Sequence, residues 1–270
     1  MKKGLVFGSI LALLIIVTIV IIVVTNKHCD DGNTPSGTPG LRRYPIQPKD
    51  KKCSSVIQYN ADNEDDVTGW VTRYQKFLDD YEKLGNGVNC AHGNGATKDK
   101  VCKFDLSQLG ECRKGKFGYN TGNPCIILEL NKIEDLKYSA VDINNLPKNH
   151  GMSDELVAHV KTQQDKDQVW VECQGESKAD KDALDGKEIK YYPRSQGFPT
   201  YYFPYLKENK DKYKSPLVAV QFKDVPKNQL VHIECRAFAQ GIGYNRRDRI
   251  GINHLELYVT DNAGASKIES

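Results

Sequence analysis

The sequence predicts a mainly β ectodomain, an antiparallel sandwich with one short amphipathic helix, joined to a single N-terminal transmembrane helix. Three observations carry this prediction. Residues 5–24 are apolar and uncharged. One later segment has helical periodicity, and several β-rich segments separated by turn signals follow it. Because no long helices lie between those β-rich segments, an antiparallel sandwich is favoured over a parallel α/β sheet.

The first predicted element is a transmembrane signal-anchor helix at residues 5–25. Leu5–Val24 contains twenty residues without a charge, and a helix of that length spans the roughly 30 Å hydrocarbon core of a bilayer. A cleaved signal peptide is the alternative, but the apolar run is longer than its usual core and no small-x-small cleavage site follows. Lys2 and Lys3 precede the run, so the positive-inside rule predicts a cytoplasmic tail at residues 1–4 and a type II orientation.

All eight cysteines follow the anchor on the predicted outer side: Cys29, Cys53, Cys90, Cys102, Cys112, Cys125, Cys173 and Cys235. Disulfide bonds form in that oxidising compartment. Zinc binding is the alternative, but the sequence has no C-x-x-C pair and its spacings do not match the common zinc-finger patterns. Eight cysteines allow 105 pairings, so the spacing alone leaves the connectivity open.

Residues 26–62 are predicted to form an extracellular stalk, and residues 63–270 the disulfide-stapled ectodomain. Gly, Pro and Asp are abundant in the stalk, as is typical of an extended linker. The ectodomain opens with the clearest helix, because apolar residues recur at i, i+3, i+4 and i+7 over Val67–Leu84. Asn63 is suited to cap it. We interpret its aromatic stripe as core packing and not as a cofactor site.

The rest of the ectodomain is predicted to be strands between turns. The β-rich segments are Cys125–Leu128, Val169–Val171, Leu217–Phe222, Leu230–Phe238 and His254–Val259. The segments with turn signals are Gly118–Pro124, Gly197–Pro199 and Gly241–Gly243. Residues 144–166 are polar, and we interpret them as a loop with about one helical turn.

No motif in the sequence indicates catalysis, so we interpret the chain as a binding or structural protein and not as an enzyme. The signatures of serine hydrolases, zinc peptidases and phosphate-binding loops are absent, and no catalytic, cofactor or metal residue is assigned. Asp180–Gly186 resembles part of a calcium-binding loop, but Tyr191 occupies the position of the glutamate that completes the calcium ligands. This mismatch favours a solvated acidic turn. Arg246–Arg249 is interpreted as a solvated basic hairpin. The formal net charge of +3 is too balanced to indicate a nucleic-acid partner.

Uncommon residue strings occur in one order along the ectodomain, at Val101–Cys112, Gly118–Ile127, Tyr201–Phe222, Ile233–Ala237 and Ile242–Arg249. Among them are G-N-P-C-I-I, Y-Y-F-P-Y, P-L-V-A-V-Q-F and I-E-C-R-A. Together these strings resemble the beta subunit of the sodium/potassium-transporting ATPase and of its proton/potassium-transporting relative, which are P-type ATPases.

The resemblance implies an immunoglobulin-like β-sandwich on one membrane helix. It also implies three disulfide bonds, Cys90–Cys102, Cys112–Cys125 and Cys173–Cys235. Cys29 and Cys53 have no counterpart in the family pattern. A fourth bond between them, within the stalk, is our hypothesis.

The function implied by the resemblance is non-catalytic. Members of this family bind the catalytic alpha subunit of the pump, support its folding and delivery to the plasma membrane, and modulate its potassium affinity. Their contact with the alpha subunit includes the Y-Y-P-Y region, which makes Tyr201, Tyr202, Pro204 and Tyr205 the candidate partner-binding residues. The alternative for this cluster is ordinary strand and core packing.

Four departures from the family pattern indicate a divergent member. The predicted cytoplasmic tail is short, Phe7 is the only aromatic residue in the anchor, the chain has no N-x-S/T sequon, and the stalk carries two extra cysteines. These departures make a pump-independent cell-surface adhesion or junction protein the alternative function. A secreted enzyme or lectin would require signal cleavage and a site that the sequence does not provide.

Overall fold

Two β-sheets form the centre of the part of the chain that the structure describes. The computed structural model describes residues 33–46, 55–85 and 87–262. Its strands are β1 (Leu41–Tyr44), β2 (Val56–Asn60), β3 (Cys125–Leu130), β4 (Gln168–Gly175), β5 (Ile189–Tyr192), β6 (Gly197–Pro199), β7 (Val218–Phe222), β8 (Leu230–Phe238) and β9 (Ile252–Thr260). Its α-helices are α1 (Glu64–Lys83), α2 (Asp154–Thr162) and α3 (Lys178–Leu184). Short 3₁₀ helices lie at Leu106–Arg113, Tyr119–Thr121, Thr200–Tyr202 and Lys207–Asn209. The prediction of a mainly β fold is confirmed for this part of the chain.

The two sheets have the strand orders β1-β3-β7-β5 and β2-β9-β8-β4-β6. In these sheets, as far as the structure describes them, neighbouring strands are antiparallel except β2 and β9, which run parallel with Val56 opposite Glu256. The expectation of a purely antiparallel sandwich is therefore wrong at this edge. Parallel strands need a long crossover connection, and the chain between β2 and β9 supplies it.

Alternation of apolar side chains directs one face of the five-stranded sheet into the core. On β8, the side chains of Val231, Ile233, Cys235 and Ala237 are buried, as the alternating pattern predicts. In the four-stranded sheet, every residue of the central strands β3 and β7 is buried, so both faces of these strands are covered. The five segments with predicted β-rich composition all contain strands.

Helix α1 is held to the domain by its aromatic stripe. The buried residues of the helix are Val67, Trp70, Tyr74, Leu78 and Tyr81. The ring of Tyr74 stacks on Phe117 with 4.1 Å between centroids, and its hydroxyl donates to the carbonyl oxygen of Cys112 at 3.0 Å. The Tyr81 hydroxyl donates to the carbonyl oxygen of Ser215 at 2.6 Å. The prediction that the stripe serves core packing is confirmed.

Each of the three described α-helices starts at a residue whose side chain caps its N-terminus. Two of these caps lie in segments that the sequence interpretation did not identify as helices. Asn63 accepts hydrogen bonds from two backbone N–H groups at the start of α1, as predicted. Ser153 accepts one from Leu156 at 3.0 Å and begins α2 inside the segment interpreted as a loop. Ser177 and Asp180 form a reciprocal capping box that begins α3. Most of the stretch interpreted as a solvated acidic turn is therefore helical, as far as Leu184. Residues 144–166 contain a helix of nine residues.

Two further segments differ from the sequence expectation. The stalk prediction is wrong for β1 and β2, because Leu41 and Ile57 are fully buried and their strands belong to the two sheets. Arg43 in β1 is also buried, and its guanidinium donates to the carbonyl oxygens of Pro45 and Ser55 at 2.9 and 2.8 Å. The predicted turn at 197–199 is instead β6, which pairs with β4.

Three disulfide bonds cross-link the described residues: Cys90–Cys102, Cys112–Cys125 and Cys173–Cys235. These are the pairs that the family resemblance implies. Cys173 and Cys235 lie directly opposite each other on β4 and β8. This bond closes a loop of 62 residues, and the chain-entropy model assigns a loop of that size about 4 kcal/mol of stabilisation.

The predicted membrane anchor, Cys29 and Cys53 lie outside the described residues. Among the residues that the structure describes, no helix combines the length and the hydropathy needed to cross a bilayer.

Replacing Cys235 is expected to destabilise the ectodomain strongly. The Cys235→Ser variant loses the bond between β4 and β8 and leaves the Cys173 thiol in the core, at a cost of about 2–5 kcal/mol. We expect a lowered thermal unfolding midpoint and reduced cell-surface amount. Cys102→Ser is the matched control, because its bond closes a loop of only 12 residues and the expected loss is smaller. Equal unfolding midpoints for wild type and Cys235→Ser would contradict the prediction.

Candidate partner-binding surface

The four predicted partner-binding residues differ in exposure. Tyr202 is buried, with 4% of its surface exposed, whereas Tyr201, Pro204 and Tyr205 are half-buried. A 3₁₀ turn at Thr200–Tyr202 follows β6 directly, and the bend that it makes separates the environments of the successive tyrosines. The sequence segment is therefore not one continuous exposed patch.

Tyr202 is a core residue that supports its neighbour. Its hydroxyl donates to the carbonyl oxygen of Lys103 at 3.0 Å, and its ring meets Phe104 edge-on at 6.1 Å between centroids. Burial raises the pKa of the Tyr202 phenol far above its ordinary value. The ring of Tyr201 stacks on Tyr202 with centroids 4.9 Å apart. The alternative interpretation from the sequence, core packing, therefore applies to Tyr202. Tyr201 packs against the ring of Tyr202.

The loop closed by Cys90–Cys102 fixes the backbone of Tyr201. The N–H of Ala96, inside this loop, donates to the carbonyl oxygen of Tyr201 at 2.9 Å. A side chain at Gly95 would place its Cβ only 2.8 Å from the same oxygen, so the approach requires glycine. The Cys90–Cys102 disulfide therefore restrains Tyr201 indirectly, because Gly95 and Ala96, which contact the carbonyl oxygen of Tyr201, lie in the loop that it closes.

A histidine held by two carboxylates lies against Tyr201. The ring of His92 meets Tyr201 edge-on, with 5.3 Å between centroids. Its Nε2 lies 2.8 Å from Asp165 and its Nδ1 3.2 Å from Asp167. The hydrogen bond with Asp165 raises the pKa of His92 above its ordinary value, although burial opposes this. We call Tyr201, His92, Asp165 and Asp167 the tyrosine–histidine surface.

Sequence reasoning did not identify His92 or its carboxylate partners. A separation of 73 residues between His92 and Asp165 leaves no local motif that could indicate their contact. Only the fold brings the disulfide loop beside the segment that precedes β4.

Tyr205 is supported by a different part of the chain. Its ring meets the buried Tyr213 edge-on at 5.1 Å between centroids, and its carbonyl oxygen accepts from the N–H of Asp135 at 3.0 Å. Two residues later, Lys207 forms an ion pair with Glu134. Tyr201 and Tyr205 are thus two separately anchored tyrosines, with Pro204 between them.

A second cluster of ionisable groups lies on the outer face of the five-stranded sheet. The Nδ1 of His254 contacts the carboxylate of Glu176, and its Nε2 lies 3.3 Å from Glu256. The rings of His254 and His232 stack at 6.2 Å between centroids, and the Nδ1 of His232 lies 3.3 Å from Asp180. Two histidines that are distant in sequence therefore meet in the fold. The cluster joins the segment after β4 and helix α3 to β8 and β9.

The partners of this cluster shift two pKa values in opposite directions. The hydrogen bond with Glu176 raises the pKa of His254, and burial only partly opposes it. Burial acts to raise the pKa of Asp180, but hydrogen bonds from Ser177 and His232 outweigh it and lower the value to about 2. Within the residues that the structure describes, no group of three or more His, Cys, Asp or Glu side chains is arranged to hold a metal ion. Because its contacts join the segment after β4 and helix α3 to β8 and β9, we interpret the cluster as a structural clamp.

Known proteins provide an independent comparison. The family model described as "Sodium / potassium ATPase beta chain" matches residues 4–254. Sodium/potassium-transporting ATPase subunit beta-2 of Drosophila melanogaster is 34% identical over 233 residues, which is 82% of this chain and 71% of the fly protein. Subunit beta-1 of the same fly is 37% identical over 221 residues, covering 79% and 68% of the two chains. A probable subunit beta-3 of Caenorhabditis briggsae is 29% identical over 236 residues, covering 83% and 66%.

The Glu176→Gln variant is expected to reduce the pH dependence of stability. A pKa raised by folding stabilises the protein below the unfolded-state pKa, and this contribution is lost as the pH rises through the folded-state pKa. Glu176→Gln removes the largest cause of the raised pKa of His254. Between about pH 6 and pH 8 we therefore expect the free energy of unfolding to fall less in the variant than in wild type.

Urea unfolding at the two pH values measures this difference. Glu155→Gln is the matched control. It removes the same charge, but Glu155 lies exposed in the first turn of α2. A Glu176→Gln variant with the pH dependence of wild type and of Glu155→Gln would disprove the assignment.

Proposed function

The chain belongs to the sodium/potassium ATPase beta chain family, and from that membership we propose that it is a non-catalytic accessory subunit of a sodium/potassium-type cation-transporting ATPase. The observation that carries the proposal is the family match over residues 4–254. The proposed roles are to support the folding of the catalytic alpha subunit, its delivery to the plasma membrane and its potassium affinity. ATP hydrolysis and phosphorylation belong to the alpha subunit in this proposal.

The proposed topology is single-pass and type II in the plasma membrane. Residues 1–4 are cytoplasmic, residues 5–25 cross the bilayer, and the remaining chain is extracellular. The uncharged run of twenty residues and the two lysines before it support this arrangement. The three disulfide bonds of the ectodomain support it as well, since such bonds persist in oxidising compartments.

The proposed contact with the alpha subunit uses Tyr201, Pro204 and Tyr205, with His92 beside Tyr201. A half-buried tyrosine held by its neighbours loses little conformational freedom when a partner covers it, and aromatic anchors of this kind dominate binding energy at protein interfaces. Tyr201 has three such supports: the ring of Tyr202, the ring of His92 and the disulfide loop. We assign Tyr202 a supporting role below this surface, and an extracellular loop of the alpha subunit as the partner segment.

Replacing Tyr201 with alanine is expected to weaken association with the alpha subunit. A central aromatic anchor contributes about 2 kcal/mol or more, so the affinity should fall roughly thirtyfold. The full chain, tagged and co-expressed with a sodium/potassium pump alpha subunit, is purified in mild detergent, and the alpha subunit recovered per bound chain is measured. Tyr258→Ala is the matched control, because it truncates another half-buried tyrosine, on β9.

The outcomes separate the family function from the surface assignment. If wild type reaches the cell surface without recruiting an ATPase, the accessory-subunit proposal fails and the adhesion or junction function takes its place. If wild type recruits the ATPase but Tyr201→Ala and Tyr258→Ala behave alike, the proposed surface is wrong and the accessory function stands. Potassium titration of the recovered ATPase activity then tests the proposed effect on potassium affinity.

A further inference from the structure

A cavity of about 430 Å³ opens beside the end of β8. Its floor is formed by Arg236 to Gln240, and its walls are the 141–152 segment and the turn between β8 and β9. It shares no lining residue with the tyrosine–histidine surface. Cavities of about 300–1,000 Å³ are typical of small-molecule sites. The volume therefore suits a small organic ligand.

Arg236 supplies the cavity with a positive charge that lies against two aromatic rings. Its guanidinium carbon lies 3.9 Å from the ring centroid of Tyr244 and 4.9 Å from that of Phe238. One N–H donates to the carbonyl oxygen of Gly151 at 3.1 Å, and a guanidinium has five such donors. Among the described residues, no carboxylate forms an ion pair with Arg236. Donors and charge thus remain for a ligand.

The carboxylate nearest in the sheet is already engaged elsewhere. Glu172 lies opposite Arg236 in the pairing of β4 with β8. Its oxygens instead accept hydrogen bonds from the backbone N–H of Ser153, at 3.1 Å, and from the Ser153 hydroxyl. The hydrogen bonds of Glu172 in the described residues are thus made with the cap of α2, and Glu172 forms no ion pair with Arg236.

The wall that covers Arg236 is fixed by a buried acid. Glu234 is 1% exposed and accepts hydrogen bonds from the Tyr244 hydroxyl at 3.2 Å and from the Nε of Arg246 at 2.9 Å. These bonds hold the Tyr244 ring in place over the guanidinium. On the other side, Gly151 accepts from Arg236 through its carbonyl oxygen, and its backbone φ of 73° is a conformation that favours glycine. The cation is thus preorganised, which lowers the entropic cost of binding.

We propose that this cavity binds a small organic monoanion, a carboxylate or sulfonate attached to an apolar body. The planar guanidinium matches the two oxygens of such an acid group and forms strong, charge-assisted hydrogen bonds with it. The apolar body contacts the side chains of Leu146, Met152 and Ile242, which line the cavity. Asp142 also lines the cavity. Its repulsion of an anionic ligand grows with the charge of that ligand, so a monoanion is disfavoured less than a dianion. This proposal does not depend on the accessory-subunit function.

A pair of ligands with one shared body tests the proposal. 2-Naphthoate and 2-naphthamide have the same aromatic rings, and only the first is an anion. Each is titrated by calorimetry into the full chain in lipid nanodiscs, and empty nanodiscs supply the blank for partitioning into lipid. We expect saturable binding of naphthoate that is at least about tenfold tighter than that of naphthamide. Equal affinities, or no saturable naphthoate binding above the blank, would overturn the proposal.

Variants of the chain connect the binding to Arg236. Arg236→Gln is expected to abolish the preference for naphthoate over naphthamide. Arg247→Gln is the matched control, because it removes the same charge from an exposed arginine that does not line the cavity. Leu146→Trp keeps Arg236 but fills part of the cavity, so both ligands should bind about tenfold more weakly. A preference that persists in Arg236→Gln, or unchanged binding in Leu146→Trp, would refute the site.

Discussion

The covalent bond between Cys173 and Cys235 is the constraint on which most of the described fold depends. It joins β4 to β8 at directly opposed residues, in the interior of the five-stranded sheet. Because side chains alternate along a strand, the residues on either side of Cys235 face outward while the cysteine faces the core. Glu234 and Arg236 are those two neighbours. One bond therefore fixes both the core packing of β8 and the floor of the cavity on its outer face.

The short disulfide Cys90–Cys102 acts in a more local way. It closes a loop with little core of its own, because residues 91–94 and 97–99 are exposed. The loop holds the backbone of Tyr201, and its His92 side chain holds the ring. The two disulfides illustrate two uses of the same chemistry. The longer one stabilises the sandwich, and the shorter one limits the conformations available to a surface that we propose for partner binding.

Local signals in the sequence predicted the elements whose burial depends on their own residues. Helix α1 has an aromatic stripe at helical spacing and a capping asparagine. Apolar residues occur at alternate positions of β8, so both elements were predictable. Helix α2 was not, because only Leu156 and Val160 are buried in it. β1 and β2 were missed for a related reason: both are short, and they become strands through pairing with β3 and β9, which lie far along the chain. The same holds for the candidate cavity, since the fold, and no local motif, pairs Ser153 with Glu172 and brings Gly151 to Arg236.

The parallel pairing of β2 with β9 also affects how the protein is made. Val56 pairs with Glu256, so 256 − 56 = 200 residues must follow the first strand before its partner exists. Ribosomes add about 5–20 residues per second, which leaves β2 without its partner for roughly 10–40 s. During this time the apolar face around Ile57 has no sheet to cover it. The ectodomain therefore completes its larger sheet only late in biosynthesis, and its dependence on chaperones should be greatest over that interval.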